Sequence, residues 1–267
     1  MQRKPKLSIR RHPASLGSQQ THPILLVHGA WHGAWCWEGG FVDSLNNAGF
    51  DCFTVDLRGH GDSKAITQMR WNRIADYVED VISALEQIDG NPIMVGHSMG
   101  GFVCQHVRER YRNLSGICLL ASAPHYGVFP MASRTMKKHP LTVFSTFAKL
   151  SLKPLINSKA RVREMFLDAD TPDANAEAFR LKLIDESFVG FLDMLALDLP
   201  PKPTINVPTL VIGGARDPLF PPHSQYALAR RYGAECHIIE DAPHNLMNQK
   251  NWQKAARVLT DWAKTLA

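Results

Sequence analysis

Along the chain, short apolar runs rich in β-branched residues alternate with longer amphipathic stretches. That alternation predicts a mainly parallel sheet with helices on both faces, an α/β architecture. Six runs read as strands: Ile24 to His28, Cys52 to Asp56, Pro92 to Gly96, Ile117 to Ala121, Thr209 to Gly213 and Cys236 to Glu240. Most are apolar nearly throughout, as strands buried on both faces are. Helical spacing marks Trp37 to Ala48, Trp71 to Ile88, Gly100 to Tyr111, His223 to Tyr232 and Asn251 to Leu266. In the second of these, Ile74, Tyr77, Val78, Val81, Ile82 and Leu85 fall on one face, a core stripe with no special chemistry.

Between residues 123 and 202 the strand signals stop, and Met, Phe, Leu and Lys recur in helical patterns punctuated by Pro140, Pro154, Pro172, Pro200 and Pro201. A structureless loop of that length is implausible in a compact domain, so a helical cap seated over the strand ends is expected. The domain plan is then an N-terminal arm with a possible first strand (1–22), a core made of 23–122 and 203–267, and a cap at 123–202. No internal repeat or low-complexity tract interrupts it.

Composition narrows the function classes. The chain has 267 residues, 45% hydrophobic and 21% charged, as in an ordinary globular protein that can bury a sizeable core. Its formal charge is +5, but Arg3, Lys4, Lys6, Arg10 and Arg11 supply much of the excess and read as a solvated basic arm. Elsewhere Lys and Arg are mixed with Asp and Glu and form no basic stripe interleaved with aromatics, which argues against a nucleic-acid partner. Cys36, Cys52, Cys104, Cys118 and Cys236 are odd in number, lack metal-ligand spacing and read as small buried hydrophobes. Neither a signal-peptide run nor about 18 uninterrupted apolar residues occurs, so a cytoplasmic protein without a membrane span is expected.

The chemistry concentrates at strand ends. Gly96-His97-Ser98-Met99-Gly100 fits G-x-S-x-G where a strand turns abruptly into a helix, a context that holds a serine hydroxyl clear of the sheet. A serine hydroxyl is a weak nucleophile at neutral pH and needs a base, and the base needs an orienting carboxylate. Asp217, after the strand Thr209 to Gly213, and His244, after Cys236 to Glu240, follow in the order Ser, Asp, His. Asp241 is the rival carboxylate but reads as a turn or cap residue, and Asp198 beside Pro200 and Pro201 as a surface group. The loop after the first long strand, His28-Gly29-Ala30-Trp31-His32-Gly33-Ala34-Trp35, is placed to complete an oxyanion hole. Its donors are assigned to the N–H groups of Ala30 and Met99. Gly29, Trp31 and His97 are candidate substrate contacts, with His97 packed beside the nucleophile and not acting as base. His28 and His32 are expected to orient the loop, and Trp35 and Trp37 to sit in the core. The stretch Asp56 to Ser63 reads as a tight structural loop.

Together LLVHGAWHGAWCW, DLRGHGDS, GHSMGG, GGARDP and DAPH resemble the α/β-hydrolase superfamily from Ile24 to Leu266. VHGAWHGAW is similar to the branch that holds plant methyl esterases and hydroxynitrile lyases. The resemblance implies eight strands, a helical cap after the sixth, and no metal or organic cofactor. Lyases of that branch carry threonine after the first loop histidine and lysine after the catalytic histidine; here Gly29 and Asn245 stand there, favouring hydrolysis. A serine at position 98 excludes the aspartate-nucleophile chemistry of haloalkane dehalogenases and epoxide hydrolases.

The function implied is hydrolysis of a small-molecule carboxylic ester through an acyl-enzyme. Two alternatives stay open: the same triad acting on a carbon–carbon, thioester or amide bond, and a ligand-binding protein that has lost turnover. Met131, Phe144, Phe147, Leu150, Phe166, Phe188, Phe191 and Met194 in the helical region point to a pocket for apolar groups. The sequence leaves a homodimer open.

Overall fold

A computed structural model describes residues 5–15, 20–64 and 67–266. The strands are β1 (Ser8–His12), β2 (Ile24–Val27), β3 (Cys52–Asp56), β4 (Ile93–His97), β5 (Gly116–Leu120), β6 (Thr209–Gly214) and β7 (Glu235–Ile239). They form one sheet in the order β1-β3-β2-β4-β5-β6-β7, antiparallel between β1 and β3 and parallel elsewhere. Seven strands are thus present among the described residues where the family resemblance implied eight, and the helical region follows the fifth strand instead of the sixth. β1 is an edge strand of this sheet. There Arg10 and Arg11 project from β1 to ion-pair with Asp62 and Asp51, giving a charged edge of the kind that discourages further pairing. These two arginines therefore belong to the sheet and not to a free arm, while Arg3 and Lys4 lie outside the described residues.

Apart from β3, which matches, strand boundaries shift by one residue at one or both ends from the sequence pattern. Pro92 has no N–H for the ladder, so β4 opens at Ile93 and runs through His97. Side chains of β2 alternate between faces. Leu25 and Val27 join the cluster holding Tyr77, Val81 and Phe102, whereas Ile24 and Leu26 join Trp37, Phe41 and Leu259 on the other side.

The helices are α1 (Phe41–Asn47), α2 (Ile74–Leu85), α3 (Met99–Arg110), α4 (Phe129–Lys138), α5 (Pro140–Lys149), α6 (Lys159–Phe166), α7 (Asp173–Lys182), α8 (Phe188–Leu192), α9 (Pro222–Tyr232) and α10 (Trp252–Lys264). The pattern from Trp37 gives a helix only from Phe41, because Gly40 stands at φ +118°, where a Cβ would meet the Trp252 ring at 2.6 Å. Trp71 falls in a separate short turn, and α2 starts after Arg73, whose N–H donates to Asp76 Oδ2 at 2.8 Å. α1 and α10 cover one face of the sheet; α2, α3 and α9 cover the other.

Helices α4 to α8 all lie between β5 and β6. Pro140 sits in the first turn of α5, where its missing N–H costs nothing, and Pro172 precedes α7. This helical segment is fastened to the core by polar latches. Buried Asp193 accepts from Arg73 Nε at 3.1 Å and from the Ile74 N–H at 3.0 Å. Ser187 Oγ donates to the Asn72 carbonyl at 2.5 Å, and the Ile184 N–H to the Trp31 carbonyl at 3.1 Å. Among the described residues no helix is long and apolar enough to cross a membrane.

Candidate active site

The chain order of the strands reverses between β2 and β4, which lie side by side, and the loops leaving their carboxyl ends diverge around a crevice. Ligands of open α/β sheets bind at such a point. Ser98 is the residue on which β4 turns into α3. Its backbone is held at φ +54°, ψ −119°, a conformation that costs a non-glycine residue roughly 1–3 kcal/mol and persists only where the surroundings enforce it. They do so here: the Ser98 N–H donates to Leu120 O at 3.1 Å, while its own carbonyl accepts from Phe102 at 3.2 Å and Ala123 at 3.1 Å.

Asp217 and His244, from the loops after β6 and β7, meet in the interior. His244 Nδ1 lies 2.8 Å from Asp217 Oδ2, and both side chains are almost wholly buried. A carboxylate only accepts, so Nδ1 carries the hydrogen and Nε2 presents a lone pair. The other oxygen, Oδ1, is held by the N–H groups of Leu219 at 2.8 Å and Phe220 at 3.0 Å, which fixes the carboxylate plane. His244 Nε2 is buried and has no hydrogen-bond partner among the described residues, Ser98 Oγ included. Contacts of this kind are often open without substrate and tighten in the Michaelis complex. The His244 ring stands 4.8 Å from that of His97, the neighbour of Ser98, and is walled by Phe220 at 5.5 Å and by Phe166 of α6 at 6.0 Å. His97 Nε2 donates to the His244 carbonyl at 3.2 Å.

The loop after β2 passes directly over this turn. A Cβ at Gly29 would lie 2.8 Å from Ser98 Cβ and 2.9 Å from His97 Nδ1, so the backbone closes on the serine only because residue 29 has no side chain. Threonine could not take that place without displacing the loop. Two histidines set the loop's shape: His28 Nδ1 donates to Gly29 O at 2.8 Å while its Nε2 accepts from Leu57 N, and His32 Nδ1 donates to Ala30 O at 2.6 Å while its Nε2 accepts from Asn245 Nδ2. Neither the Ala30 nor the Met99 N–H is hydrogen-bonded among the described residues, so both are available to an anion. Trp37 is buried and Trp35 half-buried, as core members of this loop. Asp241 sits in a left-handed turn, exposed and paired with Arg216 at 2.6 Å; Asp198 is half-buried with its N–H on Asp193 O.

The sequence profile of the alpha/beta hydrolase family matches residues 24–258. The chain belongs to that family. Relatives include Methylesterase 10 of Arabidopsis thaliana, 34% identical over 113 residues covering 40% of each chain. The Carbendazim hydrolyzing esterase of Nocardioides sp. (strain SG-4G) is 33% identical over 118 residues, 41% of this chain and 46% of the relative. The matched stretches span only 25–40% of the length of the first three such relatives. Among solved structures, a monoacylglycerol lipase of Paleococcus ferrophilus superposes with TM-score 0.73 at 19% identity, covering 98% of this chain and 100% of that one. A bromoperoxidase of Bacillus anthracis gives 0.74 at 21%, covering 98% and 97%. At these identities the superpositions show a shared fold.

One residue of this alpha/beta hydrolase had no signal in the sequence. Glu186, in the helical segment and 1% exposed, accepts from the Trp31 N–H at 3.2 Å, from Tyr77 OH at 2.7 Å and from the Ser187 N–H at 2.6 Å. His60 Nε2, from the Asp56 to Ser63 loop, lies 3.0 Å from it. Burial alone would push the His60 imidazole down, but the facing carboxylate and its hydrogen bond hold it above its ordinary value. Burial would likewise raise Glu186, yet His60 and the donors around it bring it below the usual carboxylate range. The ion pair therefore ties the structural loop, the helical segment and the amide next to Ala30 into one unit. A buried histidine in a glycine-rich strand-end loop called for an acceptor, but the partner is 126 positions away and sits outside any motif.

Glu186→Ala strands His60 without its counter-charge and is expected to cost about 3–5 kcal/mol in urea unfolding. Acid sensitivity has a second source. Burial drives His28 down to about 4 and His32 to about 3 from the ordinary 6.5, and His97 well below it. These rings bind protons in the unfolded chain and not in the fold, so stability is full above about pH 6.5 and declines as pH falls below it. Each ring contributes up to about 1.4 kcal/mol per pH unit. His60 runs the other way: its contribution is complete below about 6.5 and lost as pH rises through its raised folded value. The urea midpoint is expected to fall between about pH 7.5 and about pH 5.5, where exposed carboxylates are still ionised, and a flat profile would contradict the neutral histidines.

Proposed function

We propose that this chain is a serine esterase that cleaves a carboxylic ester of a small, largely apolar substrate through an acyl-enzyme. The observation that carries the reading is the buried Asp217–His244 pair, whose Nε2 has no partner among the described residues and whose ring stands 4.8 Å from that of His97, the neighbour of Ser98. In the proposed sequence, Ser98 Oγ attacks the ester carbonyl as His244 Nε2 takes its proton, and Asp217 stabilises the imidazolium. The carbonyl oxygen, now an anion, is held by the N–H groups of Ala30 and Met99, each worth about 3 kcal/mol in the transition state. His244 then hands the proton to the leaving alcohol, and water repeats the sequence to release the acid.

An apolar chamber of about 380 Å³ in the helical segment supports an apolar acyl group; Trp31, Met131, Val143, Phe147, Met165 and Phe191 line it. Trp31, which lines the chamber, lies one residue beyond the proposed donor Ala30, and its buried indole N–H has no partner among the described residues. Phe166, Phe188 and Met194 are buried between this segment and the core. Phe144 and Leu150 do not line the chamber: Phe144 is 72% exposed and Leu150 lies at the surface, because α5 turns Val143 and Thr146 inward instead. Residues 123–202 act as the cap in this reading, over a core of 23–122 and 203–267. A name such as Methylesterase 10 among the relatives favours a small alcohol as leaving group. Five free cysteines, four of them buried, suit a reducing compartment such as the cytoplasm.

Ser98→Ala is expected to abolish both turnover of a short p-nitrophenyl ester and labelling by a fluorophosphonate; survival of either activity would overturn the assignment. Asp217→Asn should keep the fold but lower kcat by about 10⁴ by favouring the wrong imidazole tautomer. A matched panel of ester, thioester and diketone, ranked by kcat/KM, fixes the bond that is cleaved.

A further inference from the structure

The stretch from Ala123 to Asn157 contains no Asp or Glu in 35 residues, yet it carries Arg134, Lys137, Lys138, Lys149 and Lys153. Of the twelve large apolar side chains exposed among the described residues, seven fall in this stretch: Tyr126, Phe129, Met136, Leu141, Phe144, Phe147 and Leu150. Leu141 is 84%, Phe144 72% and Phe129 66% exposed, so these are protruding groups and not the rims of buried ones. A soluble surface scatters its exposed apolar residues singly; a contiguous set ringed by cations of one sign marks a surface that meets something.

We propose that the outer face of α4 and α5 docks on a membrane containing anionic lipid, and that it admits apolar substrate from the lipid layer into the chamber beneath. The second half rests on the esterase reading; the first does not. Helix α5 is built for this, with Val143 and Thr146 packed inward and Leu141 and Phe144, three residues apart, side by side on the opposite face. Across the turn at His139 and Pro140, α4 and α5 pack against each other and leave Phe129, Met136, Leu141 and Phe144 exposed. Charge complementarity names the occupant. Glu164 is engaged by Lys138 at 2.8 Å and His139 at 3.1 Å, and Asp185 by Ser151 Oγ at 2.6 Å, while Arg134 donates to Leu219 O at 2.8 Å. Lys137, Lys149 and Lys153 have no carboxylate partner among the described residues. A second copy of the chain is disfavoured, since a two-fold contact through this face sets those lysines against their own images. An anionic lipid surface neutralises them and receives the apolar side chains at once. The chamber opens on this face as well: Phe129, Met136, Lys137 and Phe147 line it while remaining exposed.

The test uses the full chain carrying Ser98→Ala, so that binding is scored without any catalysis, in co-sedimentation with phosphatidylcholine vesicles with and without phosphatidylserine. Binding is expected with phosphatidylserine, weakening as salt is raised. The added pair Leu141→Ser and Phe144→Ser should lower it by about tenfold or more, as should Lys137→Glu with Lys149→Glu. In the otherwise native chain, the serine pair should leave hydrolysis of a water-soluble short ester unchanged and slow that of an ester embedded in vesicles. Absence of binding to phosphatidylserine vesicles, binding indifferent to both variant pairs, or a dimer in sedimentation velocity that the serine pair dissolves would each overturn the docking surface. Loss of all ester turnover in the native chain with vesicle binding intact would instead sink the esterase reading alone.

Discussion

The arrangement depends on how closely two backbone segments approach at the centre of the sheet. Because β2 and β4 are parallel neighbours, the loop leaving one and the turn leaving the other emerge from the same edge, within contact of each other. Gly29 lets them touch, leaving 2.8 Å between a would-be Cβ and Ser98 Cβ. Everything proposed for the site presupposes that contact, since the oxyanion reading needs the Ala30 and Met99 amides around one small volume. The strain at Ser98 is borne by the ladder on one side and α3 on the other, not by the active loop itself.

A second constraint comes from outside the sheet. The segment holding α4 to α8 is not simply laid over the strand ends; it sends Glu186 and Asp193 down into the core, both buried, the first met by His60 and the second by Arg73. Burying charges costs free energy that apolar packing would not, and such pairs are a stronger argument for a single seating of the segment than for stability. With the Trp31 amide on Glu186, the seating of the helices and the shape of the loop over Ser98 cannot vary independently.

Much of this was legible along the chain. All six apolar runs form strands, with ends displaced by no more than one residue, and a local rule explains the displacement at Pro92 for β4, as Gly40 does for the late start of α1. Ser98, Asp217 and His244 could be picked out because strand-end loops carry function and their residue types and order are restrictive. What the sequence withheld was long-range. The link between His60 and Glu186 obeys no spacing, the charged run of β1 allows a possible first strand without giving its bounds, and which face of α5 turns inward depends on what it packs against. Phe144 carries a core-like signature and lies outside for that reason.

Around Ser98 the interior holds several imidazoles, yet they are not equivalent. His28 and His32 each have both ring nitrogens committed, and His97 spends one on the His244 carbonyl; all three resist taking a charge. Of these four described rings, His244 alone combines an open nitrogen with a carboxylate behind it. Under the proposed chemistry His244 takes the serine's proton and hands it to the departing oxygen, while the rings around it, held below the ordinary imidazole value by burial, are poor stopping places for that proton. In that reading the crowd of neutral rings insulates a two-way shuttle.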